Sequence, residues 1–144
     1  MPQTSAFSML NVAATLDGRR VIGLFDGDNA VQVTQGADVG TLMVGADGSS
    51  LFSQTADRSA QITIRLQHTS PTHRQLIEKW RAQRAGRLVG FPFDVIDSGS
   101  NEGGSADKCY IMRAPDDTKG NNATVREWVI VTGDWNPTVP DVAA

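Results

Sequence analysis

The stretch ITIRLQ, residues 62–67, decides the fold class because its aliphatic and polar residues alternate without a break. Successive side chains of a β-strand point to opposite faces, so this pattern predicts a strand with one buried and one exposed face. The same alternation recurs at residues 10–16 and 31–34, and the Asp17-Gly18 pair suits a tight hairpin turn. These patterns predict a sheet whose consecutive strands are joined by short turns.

One segment has the spacing of a helix, from Pro71 to about position 85. Its apolar residues form a single stripe, Ser70 can cap its first turn, and Gly86 follows as a stop. A helical content of about 10%, against a typical ~30 to 35%, makes the fold mainly β. We expect a single domain over residues 1–144, a β-sandwich or partial barrel with one flanking α-helix. Further strands are predicted at residues 20–25, 30–35, 60–67, 88–96, 108–114 and 124–132, with solvated loops at residues 97–107 and 115–122.

Residues 36–59 depart from this regular pattern and are rich in Gly, Ala, Ser and Asp. The segment exceeds the ~12 to 15 residues above which a connection is usually functional or disordered. An Asp47-Gly48 turn separates two short apolar runs within it. We therefore predict a long hairpin or arm.

Charge is segregated along the chain, although the net formal charge is only −3. Residues 21–57 contain five acidic residues and no Lys or Arg, whereas residues 74–87 carry five basic residues and one Glu. Such a basic helix can hold phosphates, but its polar side lacks aromatic residues for stacking bases. Attraction between copies of the chain is the favoured explanation, and head-to-tail contacts between different surfaces generate rings or filaments.

The sequence contains little that predicts chemistry. Asp26-Gly27-Asp28-Asn29 begins like a calcium loop but lacks the closing Glu, and no glycine-rich nucleotide motif is present. Cys109 lies in an apolar strand pattern and His73 on the helix stripe, so both are interpreted as packing residues. We predict no catalytic residue, no metal site and no cofactor. An enzyme using Cys109 and a monomeric β-sandwich binding module are the alternatives.

Because no run of 18 apolar residues occurs, we expect a soluble, leaderless chain without a membrane span.

Several segments resemble the tail tube proteins of contractile-tailed bacteriophages: HTSPTHRQL after ITIRLQ, the strand FPFDVID, and REWVIVTGDW near the end of the chain. The resemblance implies hexameric rings in which strands of neighbouring subunits join into one continuous β-barrel. The rings would stack helically into a tube that conducts viral DNA without binding it specifically. The implied partners are further copies of the chain, the tail sheath protein, and the baseplate and tail terminator proteins. The implied location is the virion tail, assembled in the host bacterial cytoplasm; a tailocin or secretion-type injection device is the close alternative.

The resemblance also assigns expected roles to residues. Strands 30–35 and 60–67 would line the inner barrel, the arm would reach the neighbouring ring, and the helix would flank the outside. Arg65 alternates onto the same face as the lumen candidates, and its charge does not suit a uniformly acidic bore. The expected lumen residues are Gln32, Thr34, Thr63 and Gln67. The expected inter-ring arm residues are Leu42, Met43, Val44, Asp47, Gly48, Leu51 and Phe52, and the expected charge partners between subunits are Arg58, Arg74, Arg81 and Arg84.

Overall fold

The computed structural model describes residues 2–141, which form ten strands and one α-helix after a single 3-10 turn at Met9–Asn11. The strands are β1 (Val12–Leu16), β2 (Arg19–Arg20), β3 (Val31–Gln35), β4 (Gly40–Val44), β5 (Ser50–Gln54), β6 (Ala60–Gln67), β7 (Phe91–Asp97), β8 (Glu102–Arg113), β9 (Val125–Thr132) and β10 (Asn136–Pro137). The helix α1 spans Pro71–Arg84.

The main sheet is antiparallel and runs in the order β2-β1-β7-β8-β9-β6-β3, with β10 added beside β8. The segment after β2 bonds to β1 and to β6, the strands next to the two ends of this path. The Val21 N–H donates to the Ala14 carbonyl at 2.8 Å, and Leu24 pairs with Leu66 of β6. The sheet is therefore a partial barrel, and the predicted mainly β fold with one flanking helix is confirmed.

The core lies on one face of this sheet, as the alternation of residues 62–67 predicts. Ile62, Ile64 and Leu66 are fully buried beside Trp128 of β9, while the intervening residues are partly or fully exposed. Helix α1 covers this buried face with Leu76, which is also fully buried. Its first turn begins at Ser70, whose hydroxyl accepts from the backbone N–H groups of Thr72 and His73.

Two side-chain amides fix the helix to the sheet. Gln75 donates to the Leu16 carbonyl at 3.2 Å. Gln83 donates to the Ile111 carbonyl at 2.8 Å and accepts from the Ile111 N–H at 3.2 Å. Gln83 thus satisfies the backbone N–H and C=O of Ile111, which lies in β8 beyond the last residue that pairs with β7. The helix is held by specific hydrogen bonds as well as by apolar packing.

Several predicted boundaries are wrong, and each has a local cause. The strand predicted at residues 20–25 is interrupted because Gly23 adopts a φ of 77° and passes so close to Ser70 that a Cβ would lie 2.8 Å from the Ser70 Cβ. The loop predicted at residues 97–107 becomes strand from Glu102 onward. Gly104 lies in that strand beneath Trp135, where an added Cβ would meet the indole ring at 2.5 Å. Residues 88 and 89 are exposed and precede β7 rather than forming part of it.

Candidate assembly surfaces

The four expected lumen residues lie together on the face of the sheet opposite the core. Gln32 of β3 pairs directly with Thr63 of β6, and Thr34 pairs with Gln61 in the same ribbon. Gln67 lies at the far end of β6 and donates to the Leu24 carbonyl at 3.1 Å. Gln61 also lies on this exposed face, although it is not one of the expected lumen residues. Its position, two residues before Thr63 in the alternating pattern, indicates this face. Apart from Arg65, the side chains that β3 and β6 place on this face are amides and hydroxyls.

Arg65 contributes a charge to this face, and the structure shows how the charge is compensated. The Arg65 Nε lies 3.2 Å from Glu127 Oε2 on the neighbouring strand, and its guanidinium donates to the Asn29 carbonyl at 2.7 Å. Arg65 and Glu127 are directly opposite in the β6–β9 register. A cross-strand pair of opposite charges stabilises the sheet and leaves no net charge at this point.

The outer edge of β3 carries backbone groups that face away from β6. The Arg65 N–H donates to the Ala30 carbonyl at 2.8 Å, and the Gly36 N–H donates to the Ser59 carbonyl at 2.9 Å. Hydrogen-bonded positions alternate in an antiparallel pair, so Val31, Val33 and Gln35 direct their N–H and C=O groups outward. Within residues 2–141, β3 pairs with β6 alone. This edge is available for pairing with another strand.

The predicted arm is a hairpin of β4 and β5 that forms its own two-stranded sheet. It continues the β3–β6 ribbon, because the Gly36 and Thr55 N–H groups bond across its base to the Ser59 and Val39 carbonyls. At its tip Gly48 has a φ of 90°, and the Asp47 carboxylate accepts from the Ser49 N–H at 3.0 Å. Hydrogen bonds from Ser49 lower the pKa of Asp47.

Both faces of the arm are apolar and exposed. The register pairs Leu42 with Phe52 on one face and Met43 with Leu51 on the other, and Val44 lies beside the first pair. These five side chains are between 56% and 64% exposed. An isolated two-stranded hairpin is marginally stable in water, and exposed apolar surface of this kind marks an interaction site.

The four expected charge partners occupy two separate places. Arg58 lies at the base of the arm, 2.9 Å from Asp134, and donates to Asn136 at 2.7 Å. The other three project from α1: Arg74 is 3.4 Å from Glu78, Arg84 lies 4.9 Å above the Trp80 ring, and Arg81 is exposed. Arg58 therefore has partners within its own chain, while the helix presents a basic face.

An open cavity of about 490 Å³ lies between α1, the start of β9 and the loop that precedes β9. Ile77, Trp80 and Trp128 form its apolar wall. The Trp128 indole N–H donates to His73 Nδ1 at 3.0 Å, which requires that nitrogen to be unprotonated. Burial, and then the nearby positive charge of Arg126, lower the pKa of His73.

Buried Arg126 holds the loop that forms the rim of this cavity. Its guanidinium donates to the Thr124 hydroxyl at 2.6 Å, to Asp117 at 3.3 Å and to the Thr118 carbonyl at 3.3 Å. Asp117 also bonds to Lys119, and this hydrogen bond is the main cause of its lowered pKa. The loop at residues 115–122, which the sequence predicts only as solvated, is thus anchored by Arg126, a charged residue on the buried face of β9.

Residues 4–138 match the profile of a family described as Bacteriophage PhiTE tail tube protein. The chain belongs to this family. The resemblance to phage tail tube proteins is therefore confirmed, and family membership implies a component of a virion tail.

Solved structures of contractile injection systems share the fold of this tail tube family member. The sheath/tube terminator of an extracellular contractile injection system, PVC, in its extended state has a TM-score of 0.68 at 12% identity, covering 94% of this chain and 99% of that chain. The tube terminating cap of the anti-feeding prophage, AFP, has a TM-score of 0.65 at 9% identity, covering 96% and 94%. A chain of the PVC sheath-tube complex in the extended state has a TM-score of 0.63 at 12% identity, covering 92% and 91%. No curated protein matches the sequence.

Tail tube proteins are structural, and family membership confirms the prediction that the chain is not an enzyme. The thiol of Cys109 agrees with this role: it is fully buried, and burial raises its pKa to about 11. A protonated, inaccessible thiol is not a nucleophile. In the described part of the chain, α1 is too short and too polar to cross a membrane.

Proposed function

We propose that the protein is the repeating subunit of a phage tail tube, in which hexameric rings stack into a hollow conduit for the viral genome. The observation that carries this proposal is the arm, whose five large apolar side chains are more than half exposed. A monomeric protein gains nothing from a long hairpin that buries neither face. In a stacked assembly the arm extends each subunit toward the next ring and buries that surface there.

The outer edge of β3 supports closure of the ring. Val31, Val33 and Gln35 direct backbone donors and acceptors outward along a strand whose other side is fully paired. When this edge pairs with a different strand of the next copy, the contact is head-to-tail and a rotation can close it into a ring. The strands of all subunits then join into one barrel without open edges.

The polar face supports the role of the bore. A conduit must not bind DNA tightly, since every phosphate neutralised by a free basic residue adds salt-dependent affinity. The expected lumen residues Gln32, Thr34, Thr63 and Gln67 share one face, and Arg65 on that face is neutralised by Glu127. A wall of amides and hydroxyls lets the nucleic acid slide.

The tube so formed would contact the sheath from outside and meet the baseplate and the tail terminator at its ends, after assembly in the host bacterial cytoplasm. Arg81 and its neighbours on α1 are exposed on the side away from the polar face and would serve subunit or sheath contacts.

The fold shared with contractile injection systems favours one second candidate, the tube of a device that carries no genome. Virions that contain this chain and lose infectivity when it is deleted would distinguish the phage tail from such a device.

Sedimentation and negative-stain imaging of the purified protein test the proposal. We expect hexameric rings or tubes at high protein concentration, whereas a species that stays at 15.4 kDa would contradict it. Deletion of residues 44–50 removes the tip of the arm and no core residue. The deletion variant should keep its fold and lose the ability to form long tubes; normal polymerisation would show that the arm does not connect rings.

A further inference from the structure

The arm and the cavity lie at opposite ends of β6. The arm leaves from the Ala60 end of the strand, and the cavity opens beside His68, which follows Gln67 at the other end. Seven residue steps of about 3.3 Å separate these ends by roughly 23 Å. A copy displaced along the strand direction therefore brings its arm to the cavity end of its neighbour. This is a head-to-tail contact, which repeats without limit along a stack.

The two surfaces match in chemistry. The wall of the cavity is formed by Ile77, Trp80 and Trp128, and the arm presents Leu42 and Phe52 side by side on one face. At about 490 Å³ the cavity falls within the ~300–1,000 Å³ of sites that enclose small ligands, so it has room for two or three apolar side chains.

Charge favours the same contact. Residues 36–57 contain three Asp and no Lys or Arg, and hydrogen bonds from Ser49 favour the ionised form of Asp47 at the tip. The helix beside the cavity, Pro71–Arg84, carries three more basic residues than acidic ones, and Arg87 follows it. Two acidic residues lie on the rim: Asp117 is bound to Lys119 and Arg126 of its own chain, and Asp116 precedes it. Lys119, Arg126 and the basic residues of α1 outnumber these two. An acidic arm is attracted to this side of the molecule.

Resting on the proposed stacking of rings, we propose that the arm of one copy docks into the cavity between α1 and β9 of a copy in the next ring. Leu42 and Phe52 enter against Ile77 and Trp80. Each subunit is thus the donor of one arm and the receptor of another, and the cavity is the site that sets the stacking contact.

Site-specific cross-linking within assembled tubes tests this contact. Val44→Cys on the arm is combined with Lys119→Cys on the rim, whose side chain is 79% exposed. The control combines Val44→Cys with Val139→Cys, a position that is 90% exposed and lies beside β10, away from the cavity. The native Cys109 is fully buried and does not compete for the reagent.

A short bismaleimide should convert the Val44→Cys, Lys119→Cys tubes into a ladder of dimers and higher multimers on a denaturing gel. Each single variant and the control pair should remain monomeric. Tubes that form normally but cross-link no better than the control pair would overturn the docking site and leave the tube itself standing. Failure of the unmodified protein to form rings or tubes would instead overturn the proposed function.

A second pair of variants separates loss of the site from loss of the fold. Ile77→Glu places a charge on the wall of the cavity, and Leu88→Glu places the same charge on a residue that is 69% exposed in the loop after α1. We expect rings without stacks for Ile77→Glu and unchanged stacks for Leu88→Glu. Circular dichroism and ring formation report that the fold is intact, and stacking by Ile77→Glu at the unmodified level would contradict the proposal.

Discussion

Replacement of Phe52 by Ser tests the arm most simply, because the change removes an apolar side chain without touching the core. Phe52 is 56% exposed, and within the arm its ring lies against Gly40 and its register partner is Leu42. Full burial of a Phe side chain is worth roughly 1.5–3 kcal/mol, so burying the exposed half contributes about 1–1.5 kcal/mol per contact. Losing it weakens one contact roughly five- to twelvefold.

The effect on assembly is larger than the effect on a single contact, since every subunit of a ring brings one arm. We expect Phe52→Ser to raise the protein concentration at which stacks sediment and to leave the melting temperature of the unassembled subunit nearly unchanged. Leu88→Ser removes a side chain that is 69% exposed elsewhere and should leave stacking unaffected. Stacking of Phe52→Ser at the same concentration as the unmodified protein would refute the assignment of the arm to an interface.

Three further outcomes follow from the geometry. Glu127→Gln removes the negative charge that compensates Arg65 on the polar face. Tubes of this variant should retain double-stranded DNA at low salt and release it as the salt concentration rises. DNA retention equal to that of the unmodified tubes would exclude that face from the bore. Gly104→Ala should lower the free energy of unfolding by about 1–3 kcal/mol, because its methyl group would meet the Trp135 ring, and an unchanged thermal melt would contradict this contact. The pKa of His73 is lower in the folded state than in the unfolded chain, so the unfolded chain binds the proton more readily. The free energy of unfolding should therefore decline as pH falls below about 6.5. Denaturant titrations between about pH 7.5 and 5.5 should show a smaller decline for a His73→Gln variant than for the unmodified protein.

The sequence predicts best where one physical cause acts alone. The alternation at residues 62–67 identifies β6 and its two faces, because burial on one side of a strand leaves a period of two. The helix is predicted within one residue of its observed end, since Ser70, Pro71 and Gly86 each favour a terminus for a local reason. The signal for the hairpin is also local, since the Asp47-Gly48 turn lies between the two strands that pair as β4 and β5.

Features that depend on a distant neighbour could not be predicted. The start of β8 contains Gly103 and Gly104, which in isolation are typical of a loop. They belong to a strand that pairs with β7, and glycine fits there because Val95 and Trp135 occupy the space where side chains would lie. The same limit applies to the cavity, whose wall and rim come from α1, β9 and the preceding loop and meet only in the folded chain.

The compensation of Arg65 by Glu127 is of this kind as well. Sequence alternation places Arg65 on the polar face, but only the β6–β9 register shows that Glu127 stands directly opposite. Arg65 on β6 alone would give the bore a positive charge that binds DNA. Glu127 on the neighbouring strand β9 neutralises that charge.

Hydrogen exchange at the outer edge of β3 tests whether the sheet of one subunit is completed by a strand of another copy. Amide exchange of residues 30–36 is compared between unassembled subunits and tubes, with β6 as the internal control because its backbone is already paired on both sides. We expect the amides of Val31, Val33 and Gln35 to exchange rapidly in the subunit and to become protected in the tube. Equal exchange at these three amides in both states would show that β3 remains an open edge and that no other copy completes the sheet.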